Sequence, residues 1–268
     1  MPIKLAALDM DGTLLNRSKL VSEKNRLAVH KALSQGVYVT IATGRMPVSA
    51  AYFAKQLHMN CPVISCNGGV VQPLDGSAPI FEAHFPPDTV RSLIEMCYAE
   101  NWHLRWYIGD AVYVREYDSR MFPAYVTTKG LDIRPIGDDY AKYVNNVTQL
   151  VVCDYHHHIR SIYEQIAAEF SGRIGLQQNT GYSMDITPPG ITKSVGLAKL
   201  AEHLGIARDE IMAIGDGDND LTMIEYAGTG VAMENAIDEA KKIAQFTTKD
   251  CDDDGVAYAF EKLVLRTE

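Results

Sequence analysis

The sequence predicts an α/β fold: an open parallel-sheet core into which a separate α+β domain is inserted. Three observations carry that expectation. Short apolar runs alternate with helical periodicity through the first third, the same alternation returns in the last third, and the middle is rich in aromatic and β-branched hairpins. A chain of 268 residues that is 47% hydrophobic and 22% charged can bury a sizeable core.

In chain order, Leu5 to Leu8 reads as a strand, Glu23 to Gln35 as a helix, Val37 to Ala42 as a strand, a helix follows Pro47, and Val63 to Ser65 is a further strand. Ser22 is placed to cap the first helix, Gly36 to end it, and Pro47 to open the second. In the last third, Leu197, Leu200, Ala201 and Leu204 form one apolar helix face before Gly205, then comes the strand Ile211 to Ile214, and a helix runs from near Asp218 to near Gly228. Between them, His103 to Ile108 and Ala111 to Arg115 flank the two-residue turn Gly109-Asp110. Leu150 to Asp154 and Ser183 to Ile186 read as strands, and Asp88 to Glu100 and Ile159 to Phe170 as helices. Pro86-Pro87 and Pro188-Pro189-Gly190 mark the crossings, so residues 1–84 and 188–268 form the core and 85–187 the insertion.

A formal charge of −9 without a basic cluster repels nucleic-acid backbones and anionic membranes, so neither is an expected partner. Any site for an anionic substrate must therefore reverse the field locally with cations. Cys61, Cys66, Cys97, Cys153 and Cys251 show no CxxC spacing and read as reduced thiols. No segment has the roughly 18 uninterrupted apolar residues of a membrane span, and the N-terminus lacks a signal-peptide pattern, so a cytoplasmic location is the expectation.

In open parallel sheets, ligands sit beyond the carboxyl ends of the strands. Four apolar runs end there in polar strings: Asp9-Met10-Asp11-Gly12-Thr13, Thr43-Gly44-Arg45, Asn67-Gly68-Gly69, and Gly215-Asp216-Gly217-Asp218-Asn219-Asp220. Asp9, Asp11, Asp216 and Asp220 would crowd together, and packed carboxylates repel unless they take up protons or share a cation. Magnesium, which favours oxygen ligands and keeps places for water and a phosphate oxygen, resolves the conflict. Beside such an ion one carboxylate can attack phosphorus, while a second can protonate the leaving oxygen and later take a proton from water.

These strings resemble the four motifs of the haloacid dehalogenase superfamily of phosphohydrolases. A D-x-D-G-T match alone arises by chance on the order of once in 10⁵ positions. The resemblance implies a Rossmann-like core with a cap domain, with Asp9 as nucleophile and metal ligand. It makes Asp11 the general acid/base, giving a backbone oxygen to Mg²⁺. Thr43 would bind the phosphoryl group with Met10 and Gly44 beside it, and Lys193, in Pro188-Pro189-Gly190-Ile191-Thr192-Lys193, would be the third motif's cation. It further implies Asp216 as a metal ligand, Asn219 near the phosphate or metal shell, and Arg45, Asn67 and Asp220 as supports. The long gap between Arg45 and Lys193 is similar to the Cof-type subfamily, as are Glu234-Asn235-Ala236 and Asp252-Asp253-Asp254-Gly255-Val256-Ala257. The expected function is a Mg²⁺-dependent phosphatase acting on a small phosphorylated metabolite, such as a sugar phosphate, beneath a mobile cap. The alternatives are a phosphomutase or phosphotransferase using the same aspartate, and a non-catalytic binder of a phosphometabolite.

Plainer readings stand beside these. Thr43 has a second reading as a helix cap, Lys193 as a solvent-facing lysine, and Arg45 either orients the site or pairs with a core carboxylate. Asp218 reads as a turn residue, His156-His157-His158 as the surface at a helix start, and Asp252 to Asp254 as a solvated loop capping the last helix.

Overall fold

A computed structural model describes residues 2–117, 131–154, 158–180 and 182–265. In chain order its elements are β1 (Leu5–Leu8), α1 (Glu23–Ser34), β2 (Tyr38–Ile41), α2 (Pro47–Gln56), β3 (Val63–Ser65), β4 (Val70–Gln72) and β5 (Phe81–Glu82). There follow α3 (Pro87–Ala99), β6 (His103–Ile108), β7 (Ala111–Val114), β8 (Asp132–Pro135), β9 (Gln149–Cys153), α4 (Ile159–Glu169), β10 (Gly175–Thr180) and β11 (Ser183–Thr187). The chain closes with α5 (Lys193–Leu204), β12 (Ile211–Gly215), α6 (Leu221–Tyr226), β13 (Thr229–Ala232), α7 (Asp238–Ile243), β14 (Phe246–Thr247) and α8 (Gly255–Leu263).

The chain divides into two compact units, Met1–Phe81 with Thr192–Glu268, and Glu82–Ile191. The first is built on a five-stranded sheet in the order β14-β13-β12-β1-β2, parallel throughout. β1 is buried on both faces, which is why it reads as a continuous apolar run. Ala6 and Leu8 pack in one core with Ala28, Val29 and Ala32 of α1 and Phe260 of α8. Leu5 and Ala7 pack in another with Leu197 and Leu200 of α5 and Met223 of α6.

The second unit has its own core and a six-stranded sheet, β10-β11-β9-β6-β7-β8, antiparallel except where β7 meets β8. The hairpin at Gly109-Asp110 forms as expected, with Ile108 opposite Ala111. One face of this sheet packs Leu104, Trp106, Leu150, Val152, Met184 and Ile186 against α3 and α4. By strand alternation its other face carries Arg105, Tyr107, Gln149, Cys153, Ser183 and Asp185, all buried.

The α/β class and the inserted α+β unit agree with the sequence, while several details differ. The prolines at 86 and 87 do not link the units: Pro86 is the cap and Pro87 the first residue of α3, where a fixed φ and a missing N–H cost nothing. β3 meets the main sheet through a single bridge, Ala42 to Ile64, because it turns back at once to pair antiparallel with β4. That turn places Cys66 and Asn67 at φ 49° and 52°. The region after Asp218 is a 3₁₀ turn leading into a short α6. Asp254 precedes α8 without a side-chain cap bond and pairs with Lys24 instead, and Asp252 pairs with Arg17, so the acidic run is not simply a solvated cap. His156 and His157 lie outside the described residues, and His158 precedes α4 with its side chain exposed. No described helix is long and apolar enough to cross a membrane.

Gly68 shows how closely the core elements approach. At φ +93° a Cβ there would lie 2.0 Å from the Thr192 carbonyl oxygen, at the start of α5. Gly68→Ala is expected to destabilise the protein by about 2 kcal/mol or more, by strain and by displacing the α5 N-terminus. Chemical denaturation against the wild type measures this, and an unchanged midpoint would refute the tight approach.

Candidate active site

The register of the sheet assembles the site. Ile214, Leu8 and Ile41 stand side by side where β1 last pairs with β12 and with β2. Asp216, Asp9 and Thr43 therefore emerge at one carboxyl edge, where Asp9 N–H donates to the Ile214 carbonyl at 2.9 Å. Lys193, the first residue of α5, enters the same space.

At the centre lies a buried ion triad. The Lys193 ammonium donates at 2.6 Å to Asp9 Oδ1 and at 2.6 Å to Asp220 Oδ1, and its side chain is fully buried. This excludes the solvent-facing reading. The cation sits at a helix N-terminus, which the helix dipole disfavours, so the two carboxylates must hold it there. Burial and then the charges of Asp220 and Asp9 act in opposite directions on the ammonium, and the carboxylates win, raising its pKa. Asp220 Oδ2 accepts from the Asp216 and Gly217 N–H groups at 2.9 Å each, so both its oxygens are committed.

Asp9, Asp216 and Asp220 bring carboxylate oxygens within 4.8 Å of one another. Burial, then the charge of Asp220, push Asp9 well above the usual carboxylate range, against the pull of Lys193. Burial and Asp220 raise Asp216 to about 6. One buried ammonium among two buried carboxylates and a half-buried third leaves unbalanced negative charge that a hard divalent cation fits. With Asp220 engaged, Asp9 and Asp216 are the side chains open to it.

Asp11 stands apart from that cluster. Arg45 grips it with Nε on Oδ2 at 2.8 Å and Nη2 on Oδ1 at 2.7 Å, and Lys19 adds a contact to Oδ1 at 2.8 Å. Burial raises the Asp11 carboxyl, but the hydrogen bonds and charge of Arg45, then those of Lys19, outweigh it and lower the pKa. The carboxylate that Arg45 pairs with is thus a half-buried candidate site residue and not a core one.

Thr43 is no helix cap: α2 begins at Pro47 after Met46, and Thr43 Oγ1 accepts from the Arg45 N–H at 3.2 Å. Backbone bonds zip its loop to the next, Cys66 N–H to the Arg45 carbonyl at 2.9 Å and Asn67 N–H to the Thr43 carbonyl at 3.1 Å. Gly44 lies half-buried between Thr43 and Arg45. Asn219 Nδ2 donates to Asn67 Oδ1 at 2.9 Å, joining two of the predicted strings. The Met10 side chain is wholly buried in the core, so anything it offers at the site comes from its backbone. Asp218 is exposed at the start of the 3₁₀ turn.

Sequence reasoning did not single out Lys19, or give roles to Thr13 and Asn235. Thr13 Oγ1 donates to Asp216 Oδ1 at 2.9 Å, and Asn235 Nδ2 lies 3.4 Å from Asp216 Oδ2. Thr13 and Asn235 sat inside recognisable strings, whereas Lys19 is a lone charged loop residue whose partner only the fold supplies.

The chain matches the haloacid dehalogenase-like hydrolase family over residues 6–260; it belongs to that family, and it is a phosphatase. It is 33% identical over 256 residues to the 5-amino-6-(5-phospho-D-ribitylamino)uracil phosphatase YitU of Bacillus subtilis (strain 168), covering 94% of each chain. A phosphatase of the same description from that organism, YcsE, is 30% identical over 264 residues, covering 98% of this chain and 96% of the relative. Among solved structures, a haloacid dehalogenase-like hydrolase from Bacteroides thetaiotaomicron superposes with a TM-score of 0.86 at 30% identity, covering 97% of this chain and 99% of that one. A subclass IIB sugar phosphatase superposes with a TM-score of 0.83 over 97% and 98% of the two chains; at 22% identity this likeness is one of fold.

Two outcomes are expected of the triad. Lys193→Met leaves Asp9 and Asp220 buried without their cation and should cost about 3–5 kcal/mol in chelator, read by denaturant unfolding. The second concerns pH. Asp216, raised to about 6, holds a proton in the folded metal-free protein that the unfolded chain, with a carboxyl pKa of about 3.9, has released. Its contribution is therefore fully present below about pH 4 and lost as pH rises through about 6. A cation on the ionised carboxylates restores it, so Mg²⁺ should raise the melting temperature more near pH 7.5 than near pH 5. An equal rise at both values would place the cation elsewhere.

Proposed function

We propose that this phosphatase is Mg²⁺-dependent and hydrolyses small phosphomonoesters through a phosphoaspartate on Asp9. The observation that carries the reading is the buried Asp9 carboxylate, held at 2.6 Å by Lys193 at the edge of the sheet with Asp11 two residues along. A merely structural ion pair needs no second acid of this kind on the same loop.

Asp9 and Asp216, with the Asp11 backbone carbonyl implied by the family's first motif, would hold the ion. Mg²⁺, when bound, screens the repulsion between the Asp9 carboxylate and the anionic phosphoryl group and polarises the latter. Lys193 neutralises charge developing on the phosphoryl oxygens, and the Thr43 hydroxyl, the Asn219 amide and nearby backbone N–H groups orient them. An Asp9 oxygen attacks phosphorus as the bond to the ester oxygen breaks, and Asp11 gives that oxygen its proton. Water then attacks phosphorus, passing a proton to Asp11, and the Asp9–phosphorus bond breaks to release phosphate. Arg45 and Lys19 favour the ionised form of Asp11 that the second step needs. A bound phosphate dianion pushes the other way, towards the protonated form that the first step needs.

Relatives named for a phosphorylated ribitylamino compound support, as the substrate class, a primary phosphate ester on a sugar or sugar alcohol. The test is phosphate release from a panel of sugar and sugar-alcohol phosphates, that ribityl compound among them, with Mg²⁺ and with chelator. Asp9→Asn should abolish release. Asp11→Asn should lose at least ~10²-fold on alkyl esters and far less on an aryl ester whose leaving group needs no proton. Release that survives Asp9→Asn, or that ignores chelator, would refute the reading.

A further inference from the structure

Asp216 receives a hydrogen-bond donor on each carboxylate oxygen. Thr13 Oγ1 meets Oδ1 at 2.9 Å, and Asn235 Nδ2 approaches Oδ2 at 3.4 Å. The same Asn235 Nδ2 donates to the Gly12 carbonyl at 2.8 Å, while Asn235 Oδ1 accepts from the Cys251 N–H at 2.9 Å. These partners leave only one orientation of the amide, because a peptide N–H can only donate, and a carbonyl or ionised carboxylate can only accept.

The rest of the loop after β13 wraps Asp216 as well. Met233 N–H donates to the Gly215 carbonyl at 3.1 Å and Ile237 N–H to the Asp216 carbonyl at 3.0 Å. Gly12 lies close against the same carboxylate: at φ +87°, a Cβ there would lie 2.4 Å from Asp216 Oδ2. The far end of the brace is anchored in turn. Arg17 donates from Nη1 and Nη2 to the two Asp250 oxygens at 2.8 Å each, and its N–H meets Asp252 Oδ1 at 3.0 Å. Its Nη1 also contacts Asp252 Oδ2. One guanidinium thus answers half the charge of the acidic turn Asp250-Cys251-Asp252, and the turn is tied twice to the loop that follows β1, through Arg17 and through Asn235.

We infer that Asn235 is a positioning residue for the cation site: it locks the Asp216 carboxylate plane and the Gly12 peptide together, so that Asp216 is presented to the ion already oriented. The inference rests on the reading of Asp216 as a ligand. Held by Thr13 alone, the carboxylate could rotate about its side-chain torsions, and binding would have to freeze that rotation. With donors on both oxygens the orientation is set beforehand and lone pairs remain for the ion.

The test is calorimetric titration of Mg²⁺ alone into wild type, Asp216→Asn, Asn235→Ala and Asn235→Ser, with melting temperatures taken in chelator. The expected result is that Asp216→Asn loses binding and that Asn235→Ala, still folded, binds about 10–100-fold more weakly, with Asn235→Ser falling between it and wild type. Wild type that binds no Mg²⁺, or Asp216→Asn that binds normally, would sink the metal reading and this inference with it. Mg²⁺ binding by wild type, its loss in Asp216→Asn and unchanged affinity in folded Asn235→Ala would together overturn the inference alone. Failure of both Asn235 variants to fold also overturns it, marking the residue as a structural staple.

Discussion

The constraint on which the site depends is the need to keep two buried carboxylates and one ammonium out of water beside a third, half-buried carboxylate. Each ion would cost several kcal/mol to bury alone. Lys193 is tolerable only because Asp9 and Asp220 lie 2.6 Å away, and Asp220 only because Lys193 and two backbone N–H groups use both its oxygens. Burial, then the neighbouring Asp220 charge, raise both Asp9 and Asp216 against the pull of Lys193. The same cluster bears on the difficulty of an acidic protein acting on phosphate, since a cation bound there would reverse the field locally.

Precision at such a site has to come from rigid surroundings, and the parallel sheet supplies them. Because β1 and β2 end in register and β12 runs only one residue further, three polar strings leave the sheet at one edge with no long loop to position them. The β3 strand contributes differently. It barely joins the sheet, yet the left-handed backbone at Cys66 and Asn67 folds its end against the Thr43 loop and brings Asn67 to Asn219. Behind this layer, Asn235 and the Arg17 ion pairs tie the loop after β1 to segments more than two hundred residues away. A hydrogen bond lost in that brace would be felt as misorientation at the site more than as a loss of core packing.

The architecture was legible because its cause is local. A strand buried on both faces must be continuously apolar, as Leu5–Leu8 is, and a helix must keep its 3.6-residue stripe, as Leu197, Leu200 and Ala201 do. Even the hairpin at Gly109-Asp110 follows from turn chemistry alone. Where local signals mislead, a competing local use explains it. Pro86 and Pro87 carry the marks of a linker and equally those of a helix start, and only the helix start is realised.

By itself, then, the sequence determined the α/β class and the inserted unit, because hydrophobic spacing is local, and it put candidate acids after the strands; Lys193, at the start of α5, was a candidate only through its resemblance to a family motif. The tertiary structure alone decided which charge answers which. It paired Arg45 and Lys19 with Asp11 rather than Arg45 with a core carboxylate, sealed Lys193 from solvent, and turned the acidic run at 250–254 towards Arg17 and Lys24. The physical reason is that hydrophobic periodicity is repeated along the chain and can be read there. A Coulomb pair such as Arg17 and Asp250 joins residues that are neighbours only after folding, and nothing local in either stretch announces its partner.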